Sequence, residues 1–335
     1  MNMDAPVVSI VAPAYNEAAN LAAFVKAMTG VLDRLGEPWE IVFVDDGSRD
    51  DTLGIVLAAR ALDPRLKLVS LARNFGKDIA LSAGLAHARG RAVIPIDCDL
   101  QHPPELIPEM VEKWRAGADM VIGVRTRRTE EGFVRRTTAR MYYGLMRRMT
   151  NIAIPPNAGD FRLLDRKIVD VINQMPERCR FMKGIFAWPG FKSCEVPFQA
   201  NVRAGGRTRW SVWKLWRFAL DGLFSFSTVP LKMWTYLGGL SALGAFIYLT
   251  ITLVQKLVFG IAAPGYASLL IVMLGLNGLL LVSNGIQGEY IARIFEEVKG
   301  RPLFVVRGTW GFDEPAVRPA PLRAAGDPPR RDDAS

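Results

Sequence analysis

The chain has 335 residues, half of them hydrophobic, and a formal net charge of +9. That length allows one large domain or two smaller ones with a sizeable core, and the basic balance calls for an anionic partner: nucleic acid, lipid headgroups or a phosphorylated substrate. Cys98, Cys179 and Cys194 form neither a CxxC pair nor a regular framework. This argues against a disulfide scaffold or a zinc site and suits small, buried, reduced thiols in a cytosolic part. Met1 to Pro6 lacks a basic stretch followed by an apolar one, so no cleaved signal peptide is expected.

In chain order, Val7 to Val11 reads as a first strand, Pro13-Ala14-Tyr15-Asn16-Glu17 as a loop, and Ala18 to Leu35 as a helix. Glu40 to Val44 is the second strand and ends in Asp45-Asp46-Gly47-Ser48. Asp50-Asp51 open a helix with acidic residues in its first turn, where the helix dipole favours them. Leu66 to Leu71 is the third strand, followed by Arg73-Asn74-Phe75-Gly76-Lys77 and a helix to Ala88. Ala92 to Ile96 is the fourth strand and runs into Asp97-Cys98-Asp99-Leu100-Gln101. Pro103-Pro104-Glu105 starts the next helix, and Asp119 to Val124 is the fifth strand. Strands alternating with helices at this spacing imply βαβ units and a mostly parallel sheet.

The polar clusters fall at one place in each unit, directly after a strand. In a parallel sheet such loops share one edge, where ligands of open α/β sheets bind. Asp97 and Asp99, at i and i+2 in a tight turn, can converge on one hard cation. Mg²⁺ and Mn²⁺ favour oxygen ligands, and Mg²⁺ is typically shared between protein carboxylates and substrate phosphates. A metal–diphosphate site is the central expectation, against the plainer reading of a solvated acidic loop.

Arg125 to Arg148 holds eight arginines against Glu130 and Glu131, interleaved with Met141, Tyr142, Leu145, Met146 and Met149 at helical spacing. This segment is either a solvated face or an amphipathic helix on lipid or phosphate. Asp160, in Asn157-Ala158-Gly159-Asp160-Phe161-Arg162, is a turn or cap residue or a site carboxylate, and spacing does not choose between them. Arg203, Arg207 and Arg209 flank a Gly205-Gly206 turn. Trp210 to Phe218 then begins an aromatic, basic helix that suits a membrane interface, with core packing as the rival reading.

Met233 to Val254 and Leu257 to Gly288 are runs of 22 and 32 residues without a charge. Two transmembrane helices are expected near 233–255 and 266–289. Arg203, Arg207, Arg209, Lys214, Arg217 and Lys232 precede them; Arg293, Lys299, Arg301 and Arg307 follow; Lys256 alone lies near the connection. The positive-inside rule puts the soluble part and both termini in the cytoplasm. Glycines 238, 239, 244, 275 and 278 would permit close helix packing. A short strand is expected at Arg301 to Val306, and the Pro-, Ala-, Arg- and Asp-rich tail from Asp313 is expected to be disordered. The domain plan is thus 1–210 catalytic, 211–230 interface helix, 231–292 membrane helices, 293–312 C-terminal segment and 313–335 tail.

These motifs, taken in order together with Lys214 to Gly222, resemble the membrane-anchored polyprenyl-phosphate glycosyltransferases of the dolichyl-phosphate mannose synthase type, and among them the bactoprenol glucosyltransferases, from Val8 to Phe312. The resemblance implies a GT-A fold, Rossmann-like and α/β, followed by interface helices and a two-helix membrane hairpin. It implies inverting transfer of a hexose from a nucleotide sugar, UDP-glucose as best guess, to undecaprenyl or another polyprenyl phosphate. By the same carry-over Pro13, Tyr15, Glu17, Asp45 and Asp46 hold the nucleoside with help from Lys77. Asp97, Asp99 and Gln101 hold Mg²⁺ or Mn²⁺ and the diphosphate, with Cys98 between them. Asp160 sits by the reacting sugar and acceptor. Arg203 and Arg209 grip phosphate, with Arg125 a further candidate. A homo-oligomer, possibly a tetramer, is implied as well. Two departures stand out: His102 replaces the family's usual aspartate, leaving the loop less negative and the metal preference open, and Cys98 replaces a smaller residue.

Three rivals remain. A processive polysaccharide synthase would carry a Gln-x-x-Arg-Trp motif, and Arg209-Trp210 lacks the glutamine. A non-catalytic scaffold that kept the fold is opposed by intact Asp97, Asp99 and Asp160. A nucleic-acid binder has no reader motif here.

Overall fold

The computed structural model describes residues 5–126, 158–178, 180–199, 227–259 and 265–312. The arginine-rich run after Thr126, Cys179, the Arg203 and Arg209 hairpin, nearly all of the interface helix and the tail lie outside them. Two compact units emerge: one α/β unit that includes residues 300–312, and a helical pair within 227–299.

The α/β unit is built on β1 (Val8–Ala14), β2 (Trp39–Asp45), β3 (Leu66–Leu71) and β4 (Ala92–Pro95). β1 lies between β2 and β4, and β3 flanks β2, all parallel. These strands are apolar on both sides because both sides are covered. Ile10 and Ala12 pack with Leu21, Phe24 and Met28 of α1 (Ala18–Arg34) and with Ile107 and Met110 of α4 (Ile107–Arg115). Val42, Val44, Val69 and Leu71 pack with Ala80 and Ala83 of α3 (Lys77–His87). Gly84 in α3 faces Val11 and Val44, where an added Cβ would collide with Val11. α2 (Thr52–Leu62) closes the βαβ series.

The sheet is mixed rather than mostly parallel. β5 (Met120–Arg125) and β4 do not pair; β6 (Ala158–Asp165) is inserted between them, antiparallel to both. β7 (Ser193–Phe198) adds parallel to β5, after α5 (Arg166–Gln174) and α6 (Met182–Ala187). The short late strand is β8 (Val306–Trp310), downstream of the expected Arg301–Val306, and it pairs antiparallel with β3 to give the order β7-β5-β6-β4-β1-β2-β3-β8. The segment set apart as 293–312 therefore contributes a strand to the catalytic sheet.

β4 and β6 are paired through Ala92 and Val93. Pro95 lies past that ladder, where its missing N–H is not needed. Beyond it the C-terminal end of β4 and the N-terminal end of the reversed β6 open at one sheet edge, which brings the Asp97 loop and Asp160 to the same place.

The helical unit consists of α7 (Val229–Phe259) and α8 (Tyr266–Val298), 31 and 33 residues long. At 1.5 Å per residue each exceeds the roughly 30 Å hydrocarbon core of a bilayer. Among the described residues Val229–Thr252 is the one stretch long and apolar enough to cross a membrane, and nearly all of it is exposed. Both helices carry exposed apolar side chains, including Leu240, Phe246, Leu274 and Leu281.

Candidate active site

The loops after β1, β2 and β3 are tied to one another by side chains. Asn16, at φ 55°, donates its N–H to Ser48 Oγ and accepts the Arg49 N–H on Oδ1 at 2.8 Å. Glu17 N–H donates to Thr52 Oγ1 at 2.9 Å, and Asp50 accepts from Ala18 N–H and from Thr52. Asp45, 3% exposed, accepts from Ser48 N–H at 3.0 Å and from Ser70 Oγ at 3.1 Å. Asp46, equally buried, accepts from the Phe75 and Gly76 N–H groups at 2.7 and 2.9 Å. Burial pushes the Asp46 carboxyl up, against the pull of those two N–H donors. Gly47, at φ 67°, lets this loop lie against the Arg73 backbone, which a Cβ would meet at 2.5 Å. Asp45 and Asp46 thus organise the loops as buried acceptors. Pro13 is half-buried and Tyr15 is 41% exposed on the same edge.

Lys77 opens α3, and its Nζ reaches two carboxylates from different strands. It lies 2.7 and 2.9 Å from the oxygens of Asp97 and 2.7 Å from Asp160 Oδ2. Burial opposes charge on Lys77, but Asp97 and Asp160 outweigh it and hold the ammonium above its usual range. Burial likewise opposes charge on Asp160, and Lys77 outweighs it and holds the carboxyl below the usual carboxylate range. Lys77, expected to help with the nucleoside, places its charge between Asp97 and Asp160.

Asp99 accepts from the Gln101 N–H at 3.1 Å and from Gln101 Nε2 at 2.8 Å, across Leu100 at φ 56°. A non-glycine residue in the left-handed region is strained, and such strain gathers at functional loops. The Gln101 amide nitrogen is engaged, which leaves its Oε1 as the donor atom for a cation. Asp97, Asp99 and His102 each offer a ligand atom, all within 4.8 Å of one another. That donor set fits a divalent cation. Cys98 does not face the site: it is 2% exposed, its Sγ contacts the Pro13 carbonyl, and burial pushes its thiol up. Expected among the substrate-binding residues, Cys98 turns its side chain into the core. Arg125 ends β5 at the same sheet edge, exposed.

Three residues without an assigned role also belong here. His102 stacks on Phe161 with ring centroids 5.1 Å apart. Arg162, two residues past Asp160, is 2% exposed, lies over the Phe186 ring and donates to the Gly159 carbonyl at 2.5 Å. Burial pushes its guanidinium down to about 10, against the pull of Asp160. Asp78, directly after Lys77, has its carboxyl pushed up to about 6 by burial, with the Asp160 charge adding. Asp78 follows directly on the Lys77 motif without being part of it; Arg162 stood in the Asp160 motif.

The description Glycosyl transferase family 2 matches residues 9–172. An uncharacterized glycosyltransferase of Synechocystis is 50% identical over 305 residues, 91% of this chain and 96% of that one. A prophage bactoprenol glucosyl transferase homolog of Escherichia coli K12 is 44% identical over 300 residues, 90% of this chain and 98% of that one. The bactoprenol glucosyl transferase of Shigella phage SfII is also 44% identical, over 90% and 97%. Site geometry and relatives agree: the chain belongs to glycosyltransferase family 2, as a glycosyltransferase of the polyprenyl-phosphate type with a mixed, GT-A-like α/β sheet.

Proposed function

We propose that the chain transfers glucose from UDP-glucose to undecaprenyl phosphate, or another polyprenyl phosphate, with inversion at the anomeric carbon. The observation that carries this reading is the convergence of Asp97, Asp99, Lys77 and Asp160 at the open end of β4 and β6, in a chain that continues into long apolar helices. The relatives named for bactoprenol glucosyl transfer support the sugar and the acceptor.

In this reading Pro13, Tyr15 and Glu17 line the nucleoside site, on loops set by Asp45 and Asp46. Asp97 and Asp99, with Gln101, hold the cation and the diphosphate. A bound Mg²⁺ or Mn²⁺ supplies Lewis-acid stabilisation of the charge that develops on the leaving diphosphate. The acceptor is a phosphate monoester with a second pKa near 6, so it arrives largely dianionic. Its oxygen forms the new bond to the anomeric carbon as the bond to UDP breaks. Such a nucleophile needs little help from a base. Asp160, held ionised by Lys77, orients the sugar or acceptor. Arg125, Arg203 and Arg209 offset the charge of bringing two anions together.

The polyprenyl tail stays in the bilayer beside α7 and α8, read as a two-helix hairpin. A topological argument supports two crossings over one. β8, after α8, is hydrogen-bonded into the sheet that also contains β1 to β7. A hairpin would return the chain to that sheet, so two crossings suit this connectivity better than one. The positive flanks assign the sheet to the cytoplasm, at the cytoplasmic membrane. Assembly as a homo-oligomer, such as a tetramer, belongs to the same proposal and rests on the family resemblance.

The test is transfer of radiolabel from a panel of nucleotide sugars to undecaprenyl phosphate in detergent with Mg²⁺ or Mn²⁺. The proposal expects label in the lipid phase from UDP-glucose, lost in Asp99→Ala. Lipid label from a different donor alone would overturn the sugar. No lipid label from any donor, with folded protein and metal present, would favour the polymerase or scaffold readings.

A further inference from the structure

We propose that His102 is a direct ligand of the catalytic cation, and that its imidazole turns the site towards divalent first-row transition metals, Mn²⁺ included, and away from Mg²⁺. The inference rests on the reading of Asp97 and Asp99 as a cation site and goes beyond it in naming a nitrogen ligand and a metal class.

Three observations carry it. A ring nitrogen of His102 lies within 4.8 Å of the ligand oxygens of both Asp97 and Asp99. The ring is fixed in place: it stacks on Phe161 at 5.1 Å and 29°, and a tilted contact with Phe198 lies at 5.6 Å. His102 Nδ1 is out of water and has no hydrogen-bond partner among the described residues. Buried polar atoms are nearly always paired, and an unpaired one calls for a reason. Coordination of a cation through Nδ1 gives such a reason.

The surroundings are built to admit this ring. His102 Nε2 lies 3.7 Å from where a Cβ on Gly159 would stand, so a longer side chain at 159 would compete for the space next to Asp160. Phe161, on the strand that carries Asp160, supplies the stacking face. The ring is thus tied to the strand that also bears the acceptor-side carboxylate.

The chemistry follows from ligand type. Mg²⁺ prefers an all-oxygen octahedron and retains waters, whereas divalent first-row transition metals take an imidazole nitrogen more readily, Mn²⁺ least strongly among them. Two carboxylates plus one imidazole suit Mn²⁺, Co²⁺ or Zn²⁺ better than they suit Mg²⁺. An aspartate at 102 would restore an all-oxygen set.

The chain has two histidines, which makes a spectroscopic test clean. The other, His87, bonds the Ala83 carbonyl through Nδ1 and packs on Phe312. Tag-free full-length protein in detergent, loaded with Mn²⁺ and UDP, would be examined by pulsed electron paramagnetic resonance for ¹⁴N coupling from a bonded imidazole. The proposal expects that coupling in the unmodified chain and its loss in His102→Gln. It also expects His102→Asp to lower the ratio of Mn²⁺ to Mg²⁺ affinity by about tenfold or more, the size of effect that changes at metal sites typically give. Mn²⁺ bound with UDP but without imidazole coupling would overturn the role of His102 and leave the cation–diphosphate reading standing. No Mn²⁺ bound in the presence of UDP, by unmodified protein that melts cooperatively, would overturn both.

Discussion

Lys77 neutralises two carboxylates that come from separate strands, so Lys77→Met should leave Asp97 and Asp160 facing each other unpaired. Nζ is 2.7 Å from each, with side-chain exposures of 44% for Lys77, 29% for Asp97 and 17% for Asp160. At an effective dielectric constant of about 20, unit charges about 4 Å apart interact by about 4 kcal/mol, but exposed pairs yield far less once solvent screening is counted. Discounting accordingly, the variant should lose about 1–2 kcal/mol of stability at pH 7. The sign over pH follows from the two shifts. Lys77 is raised in the fold, so its contribution is complete below the ordinary lysine range and is lost only as pH rises through its folded value. Asp160 is depressed, so its contribution is present above the ordinary carboxylate range and is lost as pH falls through its folded value. The gap between variant and unmodified chain should therefore be flat from about pH 5 to 10 and shrink in acid. Thermal melts in detergent across pH would measure it. Saturating Mn²⁺ with UDP should narrow the gap, because a cation at Asp97 replaces part of the lost charge. An unchanged melting temperature across the whole range would refute the account of Lys77 as the charge bridge.

Asp78 behaves in the opposite sense: its folded value of about 6 lies above the ordinary aspartate range, so ionising it costs stability as pH rises from that range through 6. Asp78→Asn should match the unmodified chain near pH 4 and exceed it by about 1–2 kcal/mol at pH 7.5, measured by paired melts. Gly47→Ala forces a side chain into φ 67° against the Arg73 backbone. It should cost about 1–3 kcal/mol and weaken UDP binding in calorimetry, because the loops after β2 and β3 share that contact. Asp160→Asn should lower turnover at every pH from 6 to 9 while leaving UDP affinity in place. Full turnover across that series would remove any orienting or base role for Asp160.

The apolar runs and their polar ends made the parallel half of the fold legible. Leu66–Leu71 is a strand with the bounds read from its composition, and the loops after β1 to β4 do share one edge. What stayed hidden was long-range pairing. Nothing local in Ala158–Asp165 states that it runs antiparallel between β4 and β5, yet that reversal brings Asp160 within reach of Lys77, 83 positions earlier in the chain. The apolar run near Phe304 suggested a strand, but the ladder with β3 is made further on, at Val306 to Trp310, where Val306 pairs with Leu71. Between Asp97 and Asp99 the chain turns, so Cys98 points into the core, which a reading of neighbours in sequence does not show. His102 was visible as a departure from the family pattern, but the rings it packs on, Phe161 and Phe198, are distant in sequence.

The most direct test of glucosyl transfer to a lipid phosphate is mass spectrometry of the lipid fraction. The full-length chain would be incubated with UDP-glucose, undecaprenyl phosphate and a divalent cation, beside an Asp99→Ala variant of matched melting behaviour. The account predicts undecaprenyl phosphate carrying a single hexose from the unmodified chain and none from the variant. Free glucose, or a hexose polymer, with no hexosylated lipid would contradict it.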